Sequence, residues 1–105
     1  MRELIIDEKD YDEIKYVLDR WLKGTNAVVY AFGSRVKGTT KKYADLDLAL
    51  DMNGSKIPDE IMNRITSGME DSWANIKVDV LDLNDISEKF KQNIESDLLK
   101  LFVVQ

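Results

Sequence analysis

Six consecutive residues, Ala27-Val28-Val29-Tyr30-Ala31-Phe32, form an apolar and partly β-branched run that ends abruptly at Gly33-Ser34. No charged residue interrupts it, so it predicts a strand buried on both faces. Such a strand needs neighbouring strands and a covering of helices. A chain of 105 residues can supply one core of that kind, burying roughly two-thirds of the surface its unfolded form would expose. The expectation is a single domain over residues 1–105.

The flanking segments fit that requirement. Tyr11, Ile14, Val17, Leu18, Trp21 and Leu22 recur at helical spacing over residues 10–23, with Asp10 and Glu13 as a capping box and Gly24 as the stop. Asp45 to Asp51 alternates leucines with acidic or small residues, which predicts a strand with one face in the core and one open. Pro58 is placed to start a helix running to about Gly68, with Ile61, Met62, Ile65 and Met69 as its apolar stripe. Ile76 to Leu83 reads as a third strand, with Ile76, Val78 and Val80 on one face and Lys77, Asp79 and Leu81 on the other. Asn84 or Asp85 is placed to cap a last helix carrying Ile86, Phe90, Ile94, Leu98 and Leu101. The order α-β-β-α-β-α predicts an α+β fold, a small mixed sheet packed against helices. The run Leu98 to Val104 is more apolar than one helical face requires, so it either adds a last strand to the sheet or docks a partner. Trp21, Trp73 and Tyr30 read as core. Tyr43 either stacks on a base or pins its own loop.

Composition then removes several chemistries. The chain contains no cysteine and no histidine, which excludes disulfides, thiolate zinc sites, imidazole bases and cysteine nucleophiles. Any metal must sit on oxygen ligands, which points to magnesium or manganese. A net charge of -5 argues against an extended nucleic-acid surface, which requires a broad basic patch. The opening MRELIIDEKD is too acidic and too briefly apolar for a signal peptide, and no run is long enough to span a membrane. The expected location is the cytoplasm.

Three groups of residues carry candidate chemistry. Asp45 and Asp47 are two apart on a strand and so point to the same side, with β-carbons about 6 to 7 Å apart. The pair repels itself unless a divalent cation lies between, although a solvated outer strand face also explains a D-x-D in an acidic protein. At Gly33-Ser34 the chain must turn sharply. Glycine there lets backbone approach an anion, serine adds a hydroxyl donor, and a helical turn starting at this point would aim its amides the same way. Arg35, Lys37, Lys41 and Lys42 crowd the next stretch, a loop or a short helical turn followed by a loop, with no acid among them. They suit phosphate or simply keep a loop solvated. Asp79 lies between β-branched residues in a strand interior, where aspartate is depleted. It needs a partner or a task, unless it faces water at a sheet edge. Should its strand lie beside that of Asp45, three carboxylates converge, and such a set can hold two divalent ions for in-line displacement at phosphorus.

The segment Gly33-Ser34-Arg35-Val36-Lys37-Gly38-Thr39-Thr40-Lys41-Lys42-Tyr43-Ala44-Asp45-Leu46-Asp47-Leu48 resembles the signature of the polymerase-beta-type nucleotidyltransferase superfamily. That signature is a glycine-serine turn, a spacer of about ten residues and D-x-D. Val78-Asp79-Val80 extends the likeness, and Ala44 departs from the serine many relatives carry before the first aspartate. The resemblance implies a polymerase-beta-like nucleotidyltransferase core in which Asp45, Asp47 and Asp79 are catalytic and bind Mg2+ or Mn2+. It implies that Gly33 and Ser34 hold the terminal phosphates of ATP or another nucleoside triphosphate, with Arg35 and Lys37 neutralising charge beside them. The small size further resembles the minimal nucleotidyltransferases that pair with small helical HEPN proteins. That likeness implies an antitoxin transferring AMP from ATP to a tyrosine hydroxyl of a HEPN toxin. Two alternatives stay open: a small, antibiotic-like acceptor, or a non-catalytic antitoxin acting by complex formation.

Overall fold

Ala27–Phe32 forms the strand its apolar run predicts, and the other elements are arranged around it. The structure, a computed structural model, describes Leu4, residues 6–37 and residues 45–105, without the side chains of Ser34 and Lys37. The elements are α1 (Glu8–Leu22), β1 (Ala27–Phe32), α2 (Ser34–Lys37), β2 (Leu46–Asp51), α3 (Asp59–Glu70), β3 (Val78–Asp82), α4 (Glu88–Glu95) and β4 (Leu99–Val104). The four strands make one sheet in the order β3-β2-β1-β4. β1 is antiparallel to both of its neighbours, whereas β2 and β3 are parallel and are joined by a crossover carrying α3. This is the mixed α+β sheet that the sequence predicts.

One face of the sheet is the core. Ala27, Val29 and Ala31 of β1 and Leu46, Leu48 and Leu50 of β2 are buried there under Ile14, Leu18 and Leu22 of α1 and Ile65 of α3. The two helices approach closely because Gly68 offers no side chain: a β-carbon there would lie 2.8 Å from a Val17 methyl. The opposite face is less completely covered. Val28, Tyr30 and Phe32 are only half-buried, so β1 is not closed on both sides as its composition predicts. β2 departs in the other direction, since Ala49 on that second face is also buried. The open part of this face therefore begins at the Phe32 and Asp47 end of the strands.

Several boundaries differ from expectation, each for a local reason. α1 starts at Glu8 with Asp7 as its N-cap, and no capping box forms. Asp10 is instead 3% exposed and accepts a hydrogen bond from the Asn75 N–H at 3.0 Å, tying the helix to the connection before β3. At its other end Gly24, at φ +81°, turns the chain out of the helix as predicted. Pro58 is the N-cap of α3 rather than its first residue. The last helix is capped by Ser87, whose hydroxyl accepts from the Phe90 N–H at 3.1 Å, and it stops at Glu95. Leu98 and Leu101 are not in it. Residues 99–104 pair with β1, so the in-sheet alternative for the terminal apolar run is the one the structure takes. The pairing skips Leu101, which bulges between Lys100 and Phe102.

Trp73 does not belong to the core, being 78% exposed. Trp21 is half-buried beneath the guanidinium groups of Arg20 and Arg64, 5.1 and 5.7 Å from its ring centre. Tyr43, Lys41 and Lys42 lie outside the described residues. Among those described, no helix is long and apolar enough to cross a membrane.

Candidate active site

β1 ends in a turn that only glycine accommodates well. Gly33 has φ +84°, and a β-carbon placed on it would lie 2.6 Å from Oδ2 of Asp47. The residue is thus constrained twice, by its backbone conformation and by the carboxylate pressed against it. Immediately after it α2 makes a single turn, with the Val36 N–H donating to the Gly33 carbonyl at 3.1 Å. Val36 and Arg35 are both buried, at 4% and 5% exposure. The predicted short helical turn is therefore present, and Arg35 is drawn into the protein rather than displayed on a loop. The hydroxyl of Ser34 and the ammonium of Lys37 lie outside the described side chains.

Register brings the acids together. Asp47 sits opposite Phe32 of β1 on one side and opposite Asp79 of β3 on the other, on the face away from the leucine core. Asp45 precedes β2 by one residue and is exposed; Asp79 is on the edge strand with its side chain 51% exposed. The sheet edge expected as one alternative for Asp79 is thus where it lies, and it also faces Asp47 across the ladder. Asp47 feels the consequence: burial first, then the charge of Asp79, then that of Asp45, hold its carboxyl above the ordinary carboxylate range. Lys77 Nζ stands 3.7 Å from Asp79 Oδ1. A cleft of about 490 Å3 between the end of α3 and β3 is lined in part by Lys77 and Asp79.

Other aspartates near these strands are already satisfied. Asp82 is buried and accepts from the N–H groups of Ile57 and Asn84 at 2.7 and 2.9 Å. Asp51 accepts from the Asn84 side chain and the Gly54 N–H, both at 2.9 Å, and these donors hold it below the ordinary range. Such acids build the scaffold. Asp47, half-buried and facing like charge, does not fit that description.

Comparison with known proteins decides the family. Residues 13–102 match the model for the polymerase beta nucleotidyltransferase domain. The chain belongs to the polymerase beta nucleotidyltransferase family. It is 33% identical over 102 residues to a "Probable protein adenylyltransferase MntA" of Haemophilus influenzae, a match covering 97% of this chain and 83% of that protein. Its fold is similar to the solved "Crystal structure of the toxin-antitoxin with AMP-PNP", with a TM-score of 0.62 and 22% identity over 90% of this chain and 73% of that one.

For a nucleotidyltransferase, this donor set fits a hard divalent cation. The ligands available are carboxylate oxygens, two of them borne on directly facing positions of adjacent strands, and their mutual repulsion is the condition a cation relieves. Among the described residues no three acids lie close enough together to hold a metal ion, so the expected convergence of Asp45, Asp47 and Asp79 is present only as the facing pair Asp47 and Asp79. The sequence pattern sets Lys77 only on the same face as Asp79 and Leu81, and the structure places it just before β3. Its neighbourhood could not be read from the pattern, because it depends on the β2/β3 register.

Proposed function

We propose that this nucleotidyltransferase transfers AMP from ATP to a hydroxyl of a partner protein, a tyrosine of a small helical HEPN toxin, and acts as its antitoxin in the cytoplasm. The observation that carries the reading is the facing pair Asp47 and Asp79 beside the Gly33 turn, with Asp47 destabilised in its charged form. The adenylyltransferase name of the Haemophilus relative and the AMP-PNP in the similar toxin-antitoxin structure support the choice of nucleotide and of partner.

In this reading each residue has one task. Gly33 and Ser34 receive the phosphate chain at the turn, Ser34 through its hydroxyl and Gly33 by letting the Asp47 carboxylate stand against its backbone, next to the phosphates. Lys37 balances its charge, whereas Arg35 is buried within the protein and shapes the turn. Asp45, Asp47 and Asp79 would hold magnesium, which would supply charge neutralisation at the phosphoryl oxygens. Asp79 also takes the proton of the acceptor hydroxyl. The hydroxyl oxygen forms a bond to the α-phosphorus while the bond between that phosphorus and the bridging oxygen breaks, and pyrophosphate leaves. An edge strand suits Asp79 to this role, since a macromolecular acceptor must reach it from outside the sheet.

The test is labelling. With α-labelled ATP, Mg2+ and the candidate partner, the wild-type chain should label the partner, and the partner's tyrosine-to-phenylalanine variant should stay unlabelled. Changing Asp45 and Asp47 together to asparagine should abolish transfer. Persistence of labelling in that double variant would remove the assigned site, and transfer to a small hydroxylated molecule without any protein partner would replace the acceptor.

A further inference from the structure

The parallel register of β2 and β3 sets Asp79 opposite Asp47, and one cation, Lys77, lies against Asp79. Leu46 pairs with Val78 and Asp47 with Asp79, while the Leu46 N–H donates to the Lys77 carbonyl at 2.9 Å. Asp45 and Lys77 stand just before the first pair of the ladder, so of these four residues only Asp47 and Asp79 are directly paired. Lys77 is the positive neighbour of Asp79, its Nζ 3.7 Å from Asp79 Oδ1. The charges acting on Asp47 are those of Asp79 and Asp45, both unfavourable.

We infer that Lys77 is a positioning residue, which holds the Asp79 carboxylate on the edge strand and sets how much divalent cation the site demands. This rests on the proposed function of the same site. Lys77 is 71% exposed and Asp79 51% exposed, so as a contribution to folding their ion pair is slight. Its effect falls on the facing carboxylates. A positive charge beside Asp79 partly offsets its repulsion with the facing Asp47 before a cation binds, and opposes the cation when it arrives. Removing it leaves the apo site more strained and more avid. A unit charge about 8 Å from a divalent ion in a water-like dielectric corresponds to an affinity change of about fivefold.

The experiment uses the full chain as wild type, Lys77→Gln and Lys77→Arg, melted without nucleotide across a titration of MgCl2. Lys77→Gln should reach half of its cation-induced rise in Tm at about fivefold less Mg2+ than wild type, and Lys77→Arg at the wild-type concentration. In the labelling assay at saturating Mg2+, Lys77→Gln should lower kcat and leave the KM for ATP unchanged. A midpoint for Lys77→Gln equal to or above that of wild type overturns the inference, as does Lys77→Arg behaving like Lys77→Gln. If the wild type shows a cation response and transfers AMP while Lys77→Gln matches it in both, only the inference falls. A wild type with neither response sinks the functional reading and the inference with it.

Discussion

Replacing Asp47 by asparagine should make the cation-free protein more stable while destroying its activity. The two carboxylates face each other on adjacent strands, which lie about 4.8 Å apart. Taking about 6 Å between their charges, Coulomb's law gives about 0.7 kcal/mol in a water-like dielectric and about 2.8 kcal/mol at an effective value of 20. The Asp79 side chain is 51% exposed, so screening places the gain toward the lower end, at about 1 kcal/mol, in line with the cost of like charges directly opposite in a sheet. For a domain of this size that raises Tm by about 4 to 8 °C.

The pH dependence has a definite sign. Asp47 is held above its usual value of 3.8, so the wild type has its full stability below that value and loses part of it as pH rises through the folded-state pKa. Asparagine does not titrate. The advantage of Asp47→Asn should therefore be complete at neutral pH and shrink toward zero as pH falls to about 3.8. Millimolar Mg2+ should reverse the ranking, because a ligand at a hundred times its Kd stabilises by about 2.7 kcal/mol and only the wild type retains the full site. Differential scanning fluorimetry at several pH values, with and without MgCl2, reads all of this. A variant that melts at or below the wild-type temperature at pH 7 without cation would refute the idea that Asp47 is held under like-charge strain.

The remaining predictions separate site from scaffold. Gly33→Ala must hold a positive φ and displace Asp47 Oδ2 from a position 2.6 Å from the new methyl; it should cost about 1 to 2 kcal/mol and reduce transfer at least tenfold, and wild-type kinetics would show that the turn does not hold Asp47. Asp82→Ala leaves one buried and one part-buried N–H donor without their acceptor and should cost about 2 kcal/mol in urea unfolding, with the Mg2+ midpoint of the surviving folded protein unchanged; a shifted midpoint would place Asp82 in the site.

How much of this was legible in the sequence depends on whether a segment's pattern is local. β1, β2 and β3 are marked by runs or alternation that only a strand satisfies, and the elements fall where those patterns lie. The C-terminal stretch misled because Phe90, Ile94, Leu98 and Leu101 keep helical spacing across a junction. What ends α4 at Glu95 and recruits residues 99–104 is the otherwise free edge of β1, whose trace in the sequence is the apolar excess of Leu98 to Val104. Trp73 was misread from its residue type alone; an indole in the connection before β3 has no core to enter. In the candidate site, Gly33, Asp45, Asp47 and Asp79 can be singled out from spacing, but the pairing of Asp47 with Asp79 is a matter of register. Lys77 was invisible for the same reason, since a lysine on an alternating strand reads as solvated face until its neighbours across the ladder are known.

Residue type cannot sort the acids of a chain with twenty of them, whereas their surroundings can. Asp47 and Asp51 lie on one strand, four residues apart and on the same face, yet are displaced in opposite directions. Asp51 is lowered because the Asn84 side chain and the Gly54 amide donate to it, so its charge is already answered by the fold. Asp47 is raised because burial and two further aspartates act on it. A protein selected only for stability would relieve the second arrangement, for which one amide in place of one carboxylate suffices. Its presence beside a glycine that leaves no room for a side chain fits the proposed function, in which the missing counter-charge would arrive with the substrate and the strain on the empty site would become affinity at the turn after β1.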